Sequence, residues 1–203
     1  MDFESAAAPV PTTRPSGTAA PANLALGKPA SQSSRSPWST ATDPQGAVDG
    51  VINGGFGFHT DQQINPWWQV DLGATARIDS IRIHNRLDCC SERARTLQVM
   101  LSDNGQDWRI AYRHNGSLFG GKDGRPLVVP LQGSTARYVR LQLNESNWFH
   151  LDEVEVIGTL STASVPPAQG GPVSGNTGTT PAKGGGVGSV LDTVKSLKGW
   201  IGQ

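Results

Sequence analysis

The stretch "YVRLQL", residues 138–143, alternates strictly between apolar and polar side chains. In an extended chain Val139, Leu141 and Leu143 fall on one face, and the residues between them fall on the other. A period of two is typical of a strand that buries one face and exposes the other. The stretch therefore predicts a half-buried β-strand.

Similar runs lie on both sides of it and are separated by turn residues. They are "WWQVDLG" (67–73), "RIDSIRIHN" (77–85), "LQVMLSDNG" (97–105), "LVVPL" (127–131) and "DEVEVIG" (152–158). The segment "SDNGQDW" (102–108) between two such runs predicts a hairpin turn. Many short strands without a convincing helix indicate an all-β fold, an antiparallel β-sandwich or jelly roll.

Composition divides the chain into four segments. Residues 1–21 are rich in Ala, Pro, Thr and Ser and are predicted to be a disordered tail. Residues 22–159 form the sandwich, and residues 160–186 are a linker rich in Gly, Pro, Ser and Thr. In residues 187–203 apolar side chains recur at helical spacing, which predicts a short amphipathic helix on a tether. That helix either folds back on the sandwich or docks on a partner, a second copy or a membrane surface.

Charge and hydropathy argue against nucleic acid as a partner and against a transmembrane segment, but they do not identify the cellular compartment. The formal net charge is +0, so the chain has no electrostatic footprint for nucleic acid. No run approaches the ~20 apolar residues of a transmembrane segment, and "MDFESAAAPV" lacks the features of a signal peptide. The protein is therefore cytoplasmic as synthesised, exported by a non-standard route, or a fragment of a larger protein.

The only two cysteines of the chain, Cys89 and Cys90, are adjacent in "RLDCCSER" (86–93). Adjacent cysteines suit neither a zinc site nor a CxxC redox motif. Two interpretations remain: an inert pair in the core, or a disulfide between neighbours. A disulfide of this kind closes no long loop, so loop entropy does not explain it. It would instead supply a flat apolar sulfur surface that suits the face of a sugar ring.

Charged residues stand on both sides of the cysteines. Taken singly, Arg86 and Asp88 are a surface ion pair and His59 is a structural cap. Taken together with Arg93 and the cysteine pair, their spacing resembles that of the F-type lectins, the fucose-binding lectin family. The flanking segments "NLALGKPASQSS" (23–34), "AVDG" (47–50), "NPWWQVDLG" (65–73) and "LDEVEV" (151–156) are also similar. The similarity covers about residues 23–158 and extends more broadly to discoidin-like, coagulation-factor C-type jelly-roll domains.

The resemblance implies a non-catalytic module that binds α-L-fucose, or a close analogue, on glycans. It implies that His59, Arg86 and Arg93 contact the sugar, that Asp88 supports them, and that a disulfide packs against the ring. Guanidinium groups donate bidentately to sugar oxygens, and a neutral imidazole adds one directed hydrogen bond. The chain shows no paired carboxylates, nucleophile elbow or phosphate loop, so an enzyme is not expected.

Aromatic residues near these positions are candidates for the slot that receives the fucose methyl group. Position alone suggests Trp38, Phe56 and Phe58. An aromatic pair such as Trp67–Trp68 can form a sugar platform, but a strand turns only one of the two toward the core. We therefore interpret this pair as structural.

The family resemblance also implies a structural calcium ion beneath the site. Asp49 and Glu153 would supply carboxylates, and Gly46, Val51 and Asp152 would supply backbone carbonyls. The chain departs from the family at Val51, where a side-chain amide is frequent. It also lacks the family's loop cysteine and that cysteine's partner, in whose place Asp152 stands. The loop of residues 52–60 is therefore expected to be held less firmly.

Two other functions fit the same fold. One is a discoidin-like protein- or lipid-binding adhesion module without sugar activity, and the other is an adjunct binding domain of a larger glycan-processing enzyme. A single monosaccharide site binds weakly because it buries little area. Several copies would raise the avidity, and residues 187–203 are the candidate segment for a homo-oligomer or a docking partner.

Overall fold

The computed structural model describes residues 20–120 and 124–161. Nearly all of the predicted tail and linker, and the whole predicted helix of residues 187–203, lie outside them. The described residues form β-strands and two short 3₁₀ helices, at Gln45–Val48 and Ser91–Thr96. The strands are β1 (Ala22–Asn23), β2 (Ala30–Gln32), β3 (Phe58–His59), β4 (Gln63–Ile64), β5 (Trp67–His84), β6 (Leu97–Ser102), β7 (Arg109–Arg113), β8 (Leu127–Leu143), β9 (Ser146–Asn147), β10 (His150–Leu151) and β11 (Glu153–Leu160).

Antiparallel pairing builds the fold. Seven strands form one sheet in the order β1-β11-β5-β8-β6-β7, with β2 also paired to β5. Two ribbons, β10–β3 and β4–β9, complete the set. The predicted antiparallel all-β sandwich is thus confirmed. Within residues 20–120 and 124–161, no helix is long and apolar enough to cross a membrane.

Strand β5 is longer than the sequence runs predicted. The segments 67–73 and 77–85 lie largely in the single strand β5, which spans 18 residues. Its pairing with β8 shifts register between Asp71 and Ala76 and again between Ile78 and Ser80. Extra residues at such bulges bend a strand without ending it. The glycine at position 73, with φ +86°, therefore lies within a strand rather than in a turn.

The core follows the predicted alternation. Val139, Leu141 and Leu143 are fully buried, as the period of two requires. Trp68 is fully buried as well, and its indole nitrogen donates to the Pro44 carbonyl at 2.9 Å. Trp67 lies on the opposite face beneath the Arg140 guanidinium group, 4.4 Å from it. One member of the tryptophan pair is thus a core residue, as predicted.

A close backbone contact holds the loop that precedes β3. Gly57 lies against Gly46 of the first 3₁₀ helix, and both residues are buried. A Cβ atom built on Gly57 would lie 2.3 Å from the Gly46 carbonyl carbon and 2.4 Å from the Ala47 nitrogen. Both obstacles are backbone atoms and cannot rotate away. Only glycine fits at this contact, which places the loop carrying Phe56 and His59.

Gly57→Ala is therefore expected to lower the free energy of unfolding by about 1–3 kcal/mol or more, because the added methyl group must displace backbone. The matched control is Gly55→Ala in the same loop, where the new Cβ atom meets only the side-chain oxygen of Asn53, at 3.0 Å. That control should change stability by about 0.5 kcal/mol or less. Urea unfolding curves of both variants measure the difference. Equal midpoints would show that this backbone contact does not constrain the fold.

Candidate functional site

Residues from four separate segments of the chain surround one cavity of about 270 Å³. Five of the residues predicted from the sequence to form the site line this cavity, together with three aromatic residues. The lining consists of Trp38, Phe56, His59, Arg86, Cys89, Cys90, Arg93 and Trp148. The two described pockets elsewhere contain none of these residues.

Hydrogen bonds fix both the backbone and the ring of His59. Its backbone N–H donates to Asp43 Oδ2 at 2.8 Å, and its carbonyl accepts from Ser39 Oγ at 2.7 Å. Its Nδ1 atom lies 2.9 Å from the Thr60 carbonyl oxygen. Because a carbonyl only accepts, Nδ1 carries the proton and Nε2 carries a lone pair. Among the described residues Nε2 has no hydrogen-bond partner, so it is available to a ligand.

The surroundings of His59 favour its neutral form. Burial of the ring lowers its pKa below 6.5, and the nearby Arg86 and Arg93 charges lower it further against the opposing effect of the Thr60 hydrogen bond. Its imidazole contacts the rings of Phe56 and Trp38 at centroid distances of 5.3 and 5.5 Å. The ring therefore offers one acceptor to the cavity at neutral pH.

Phe58 does not lie in the cavity, so its predicted role at the methyl slot is corrected. It is fully buried, stacks on Trp68 at 5.8 Å and meets Phe149 edge-on at 5.1 Å. Successive side chains of a strand point to opposite faces, so His59 faces the cavity and Phe58 faces the core. The other two candidates, Phe56 and Trp38, both line the cavity.

Arg86 and Asp88 form a bidentate ion pair at the cavity. Arg86 Nε and Nη2 donate to the two carboxylate oxygens of Asp88, each at 2.6 Å. The Arg86 side chain is only 10% exposed, whereas that of Asp88 is 57% exposed, so the pair lies at the rim of the cavity with its guanidinium group buried. These hydrogen bonds lower the pKa of Asp88 to about 2, against a smaller opposing effect of burial. Among the described residues Nη1 of Arg86 has no hydrogen-bond partner, and the guanidinium group lies 5.0 Å from the centroid of the Phe56 ring.

A disulfide joins Cys89 and Cys90. Cys89 is exposed and Cys90 is half-buried, so the pair is not part of the core. Cys90 has φ +62°, in the left-handed region, and immediately precedes the 3₁₀ helix that carries Arg93. The sulfur atoms thus form an apolar surface beside Arg86 and Arg93.

Trp148 and His150 contact Arg93, and the sequence did not reveal either of them as part of the site. The Arg93 guanidinium group lies 4.9 Å from the ring of Trp148. Arg93 Nη1 lies 3.4 Å from Nε2 of His150, which is buried and 2% exposed. Burial, followed by the charge of Arg86, lowers the pKa of His150 to about 3. Both residues lie just before β11, where their apolar and aromatic neighbours gave no sign of a site.

Asn85 is a third residue that sequence reasoning missed. Its side-chain amide donates to the carbonyls of Ser91 and Phe119 at 3.0 and 3.1 Å, and its Oδ1 accepts from the Arg86 N–H at 3.0 Å. One buried amide therefore shapes the turn that carries the ion pair and the disulfide. An asparagine after a strand is common, so only the structure identifies this role.

Asp152 holds the loop of residues 52–60, which the sequence predicted to be weakly held. Its Oδ2 atom accepts from the N–H groups of Asn53 and Gly54 at 3.1 and 2.8 Å. The Gly54 carbonyl in turn accepts from the Leu87 N–H at 2.8 Å. A buried carboxylate thus fastens this loop to the connection between β10 and β11, and the loop in turn accepts a hydrogen bond from the disulfide turn. That the loop is held less firmly than in the family stays a prediction.

The predicted calcium ligands fit the ion in part. Glu153 is fully buried; its Oε1 accepts from the Gly50 N–H at 3.1 Å, and its Oε2 is buried without a hydrogen-bond partner. Burial, with Asp49 and other carboxylates nearby, raises the pKa of Glu153 to about 7. Among the described residues, however, no three His, Cys, Asp or Glu side chains converge as a metal site. Backbone carbonyls near Gly46 and Val51 would have to complete the coordination.

Comparison with known proteins places the chain in a family. A family model described as a NedA-like, galactose-binding domain of the F5/F8 type C group matches residues 46–141. Fucolectin-6 of Anguilla japonica is 30% identical over 149 residues, which cover 68% of this chain and 76% of the relative.

Solved structures agree with this relationship. The fucolectin of striped bass (Morone saxatilis) serum has a TM-score of 0.61 at 32% identity, over 68% of this chain and 49% of that longer chain. A fucose binding module of Streptococcus pneumoniae has a TM-score of 0.58 at 28% identity, over 72% of this chain and 99% of the module. From the shared fold and the identity to fucolectins, we conclude that the chain belongs to the fucolectin, or F-type lectin, family.

Proposed function

We propose that the protein binds α-L-fucose, or a close analogue, at the end of a glycan through His59, Arg86 and Arg93. As a fucolectin relative the chain is a non-catalytic carbohydrate-binding module. The observation that supports the finer proposal is the convergence of these three side chains and the Cys89–Cys90 disulfide around one cavity of about 270 Å³. The S. pneumoniae structure that this chain resembles is itself described as a fucose binding module.

The hydrogen-bonding groups of the cavity complement a sugar. Arg86 Nη1 and the Arg93 guanidinium group supply only donors, whereas His59 Nε2 supplies an acceptor. Sugar hydroxyls donate and accept, so a hydroxyl that accepts from an arginine can donate to His59. Charge-assisted donors of this kind form short, strong hydrogen bonds. The set orients a neutral polyol without requiring charge on the ligand.

The apolar surfaces of the cavity complement a deoxyhexose. The disulfide would lie against the face of the sugar ring, and Phe56 and Trp38 would border the C6 methyl group. Phe56 is half-buried and already packs on His59, so it forms a preformed wall rather than a mobile one. Preformed walls reduce the entropy that binding must otherwise spend on ordering side chains.

Arg86→Ala should reduce the affinity for L-fucose at least about tenfold, because charge-assisted hydrogen bonds contribute about 1.5–3 kcal/mol each. The matched control is Arg137→Ala. Arg137 forms the same bidentate pair with Asp71, at 2.8 Å for both hydrogen bonds, but does not line the cavity. Titration calorimetry with L-fucose and a glycan array compare the binding of the two variants. Equal loss in both variants, or no fucosylated glycan bound by the wild type, would favour the protein- or lipid-binding alternative.

Fucose binding should also weaken in acid as one proton is taken up by His59. Protonation converts the free Nε2 acceptor into a donor and adds a third cation beside Arg86 and Arg93. Because the His59 pKa lies below 6.5, binding should be at its maximum near pH 7.5 and should fall with a midpoint below pH 6.5. Asp88, with a pKa of about 2, keeps its charge throughout. Calorimetry from pH 4 to 7.5 measures the profile, and a midpoint above 6.5 would contradict this assignment.

We also propose that a calcium ion lies at Asp49 and Glu153, completed by the carbonyls of Gly46, Val51 and Asp152. The buried Oε2 atom of Glu153, without a hydrogen-bond partner, supports this proposal. A cation there would neutralise a carboxylate that is otherwise costly to bury. Calcium prefers such hard oxygen ligands, and its role at this position would be to brace the loop after the first 3₁₀ helix.

Millimolar calcium should therefore raise the melting temperature of the wild type. At a calcium concentration of 100 times Kd, binding adds about 2.7 kcal/mol to the free energy of unfolding. Glu153→Gln should abolish this shift. Glu155→Gln on the same strand is the control, because that carboxylate is paired with His84 at 3.1 Å, and it should keep the shift. Thermal melts with calcium and with a chelator provide the measurement. A wild-type melting temperature that calcium leaves unchanged would refute the ion.

A further inference from the structure

The two arginines of the cavity are held in different ways. Asp88 neutralises Arg86 through two hydrogen bonds. Arg93 forms no ion pair with any carboxylate in the described part of the chain; its contacts there are the ring of Trp148, at 4.9 Å, and His150 Nε2, at 3.4 Å. Arg93 therefore keeps its full positive charge, and its orientation depends on uncharged neighbours.

The position of His150 follows from strand pairing. The short strand β10 pairs with β3 so that His150 stands directly opposite His59. The two imidazole rings lie 5.1 Å apart at an interplanar angle of 35°. His150 does not line the cavity and is 2% exposed, so it lies behind His59 and Arg93 rather than beside a ligand.

The contact with Arg93 determines which nitrogen of His150 carries the proton. A guanidinium group has donors and no acceptor, so His150 Nε2 must present a lone pair to Arg93 Nη1. The proton of the neutral ring then lies on Nδ1. That atom is buried and has no hydrogen-bond partner among the described residues. A buried donor without a partner costs about 1–3 kcal/mol, a cost that an apolar side chain of similar size would avoid.

We propose that His150 is a positioning residue of the sugar site, whose Nε2 lone pair orients the Arg93 guanidinium group against Trp148 without neutralising it. This inference rests on the proposed function, because it assigns Arg93 to the ligand. A carboxylate at this position would orient the arginine equally well but would compete with sugar oxygens for its donors. A neutral imidazole accepts one N–H at most and leaves the other N–H groups of Arg93 for the ligand.

The first test compares two substitutions by calorimetry with L-fucose. His150→Leu removes the acceptor and should weaken binding about 2- to 10-fold, the range of one ordinary hydrogen bond. It should leave the urea midpoint unchanged or raise it, because the unpartnered Nδ1–H group is lost with the ring. His150→Gln keeps an acceptor at the end of the side chain and should remain within about twofold of wild-type affinity.

A purely structural role would move stability and affinity together and would not be rescued by glutamine. Wild-type affinity in His150→Leu, or equal losses in both variants, would overturn the proposal. Trp108→Ala provides a control at an aromatic residue outside the cavity, and its affinity for L-fucose should be unchanged.

The second test does not depend on the ligand. Nitrogen-15 NMR of the histidine rings in the unliganded protein should show His150 protonated at Nδ1 and unprotonated at Nε2. The opposite tautomer would overturn the contact with Arg93, whatever the ligand is. If the wild type fails to bind L-fucose while the tautomer is as expected, the proposed sugar fails and the His150–Arg93 contact remains. The two claims can therefore fail separately.

Discussion

The bidentate pairing of Arg86 with Asp88 allows two guanidinium groups to share one small cavity. Two like charges in a partly buried site repel each other, and low local polarity strengthens that repulsion. Asp88 removes one charge while keeping the Arg86 side chain in a fixed plane. Arg93 then remains the one cation of the cavity lining without a neutralising partner in the described structure, and the neutral rings of His59 and His150 can lie beside it. The cavity lining then carries one net positive charge, on Arg93, instead of two, and it offers donors on both arginines beside a neutral acceptor on His59.

Buried polar side chains keep these groups in place at the edge of the hydrophobic core. Asn85 shapes the turn that carries the ion pair, Asp43 holds the backbone of His59, and Asp152 holds the loop that carries Phe56. Each of these side chains accepts or donates to backbone groups that would otherwise be buried without partners. The site therefore depends on hydrogen bonds between loops that are far apart in sequence.

Patterns of short range predicted much of this structure. The alternation around Val139 correctly predicted which face of β8 is buried in the core. The turn residues at 102–108 correctly predicted the hairpin between β6 and β7. The resemblance to the F-type lectins implied that His59, Arg86 and Arg93 share a site, and the structure brings them to one cavity. These features depend on local periodicity or on a motif that can be read directly from the chain.

The features that the sequence did not predict depend on long-range pairing. Phe58 and His59 were both candidates for the cavity, because the two-residue strand that points them to opposite faces forms only by pairing with β10, about 90 residues away. His150 is recognisable only once that register places it opposite His59. The length of β5 was not predicted either, because the sequence at its bulges resembles the sequence of a turn. No local pattern contains this information.

A crystal structure of the protein with L-fucose tests the central claim most directly. The sugar should lie against the Cys89–Cys90 disulfide, with hydroxyl oxygens within hydrogen-bond distance of Arg86 and Arg93 and with one hydroxyl donating to His59 Nε2. Its methyl group should face Phe56 or Trp38. Sugar density at another surface, with this cavity filled only by solvent, would contradict the account.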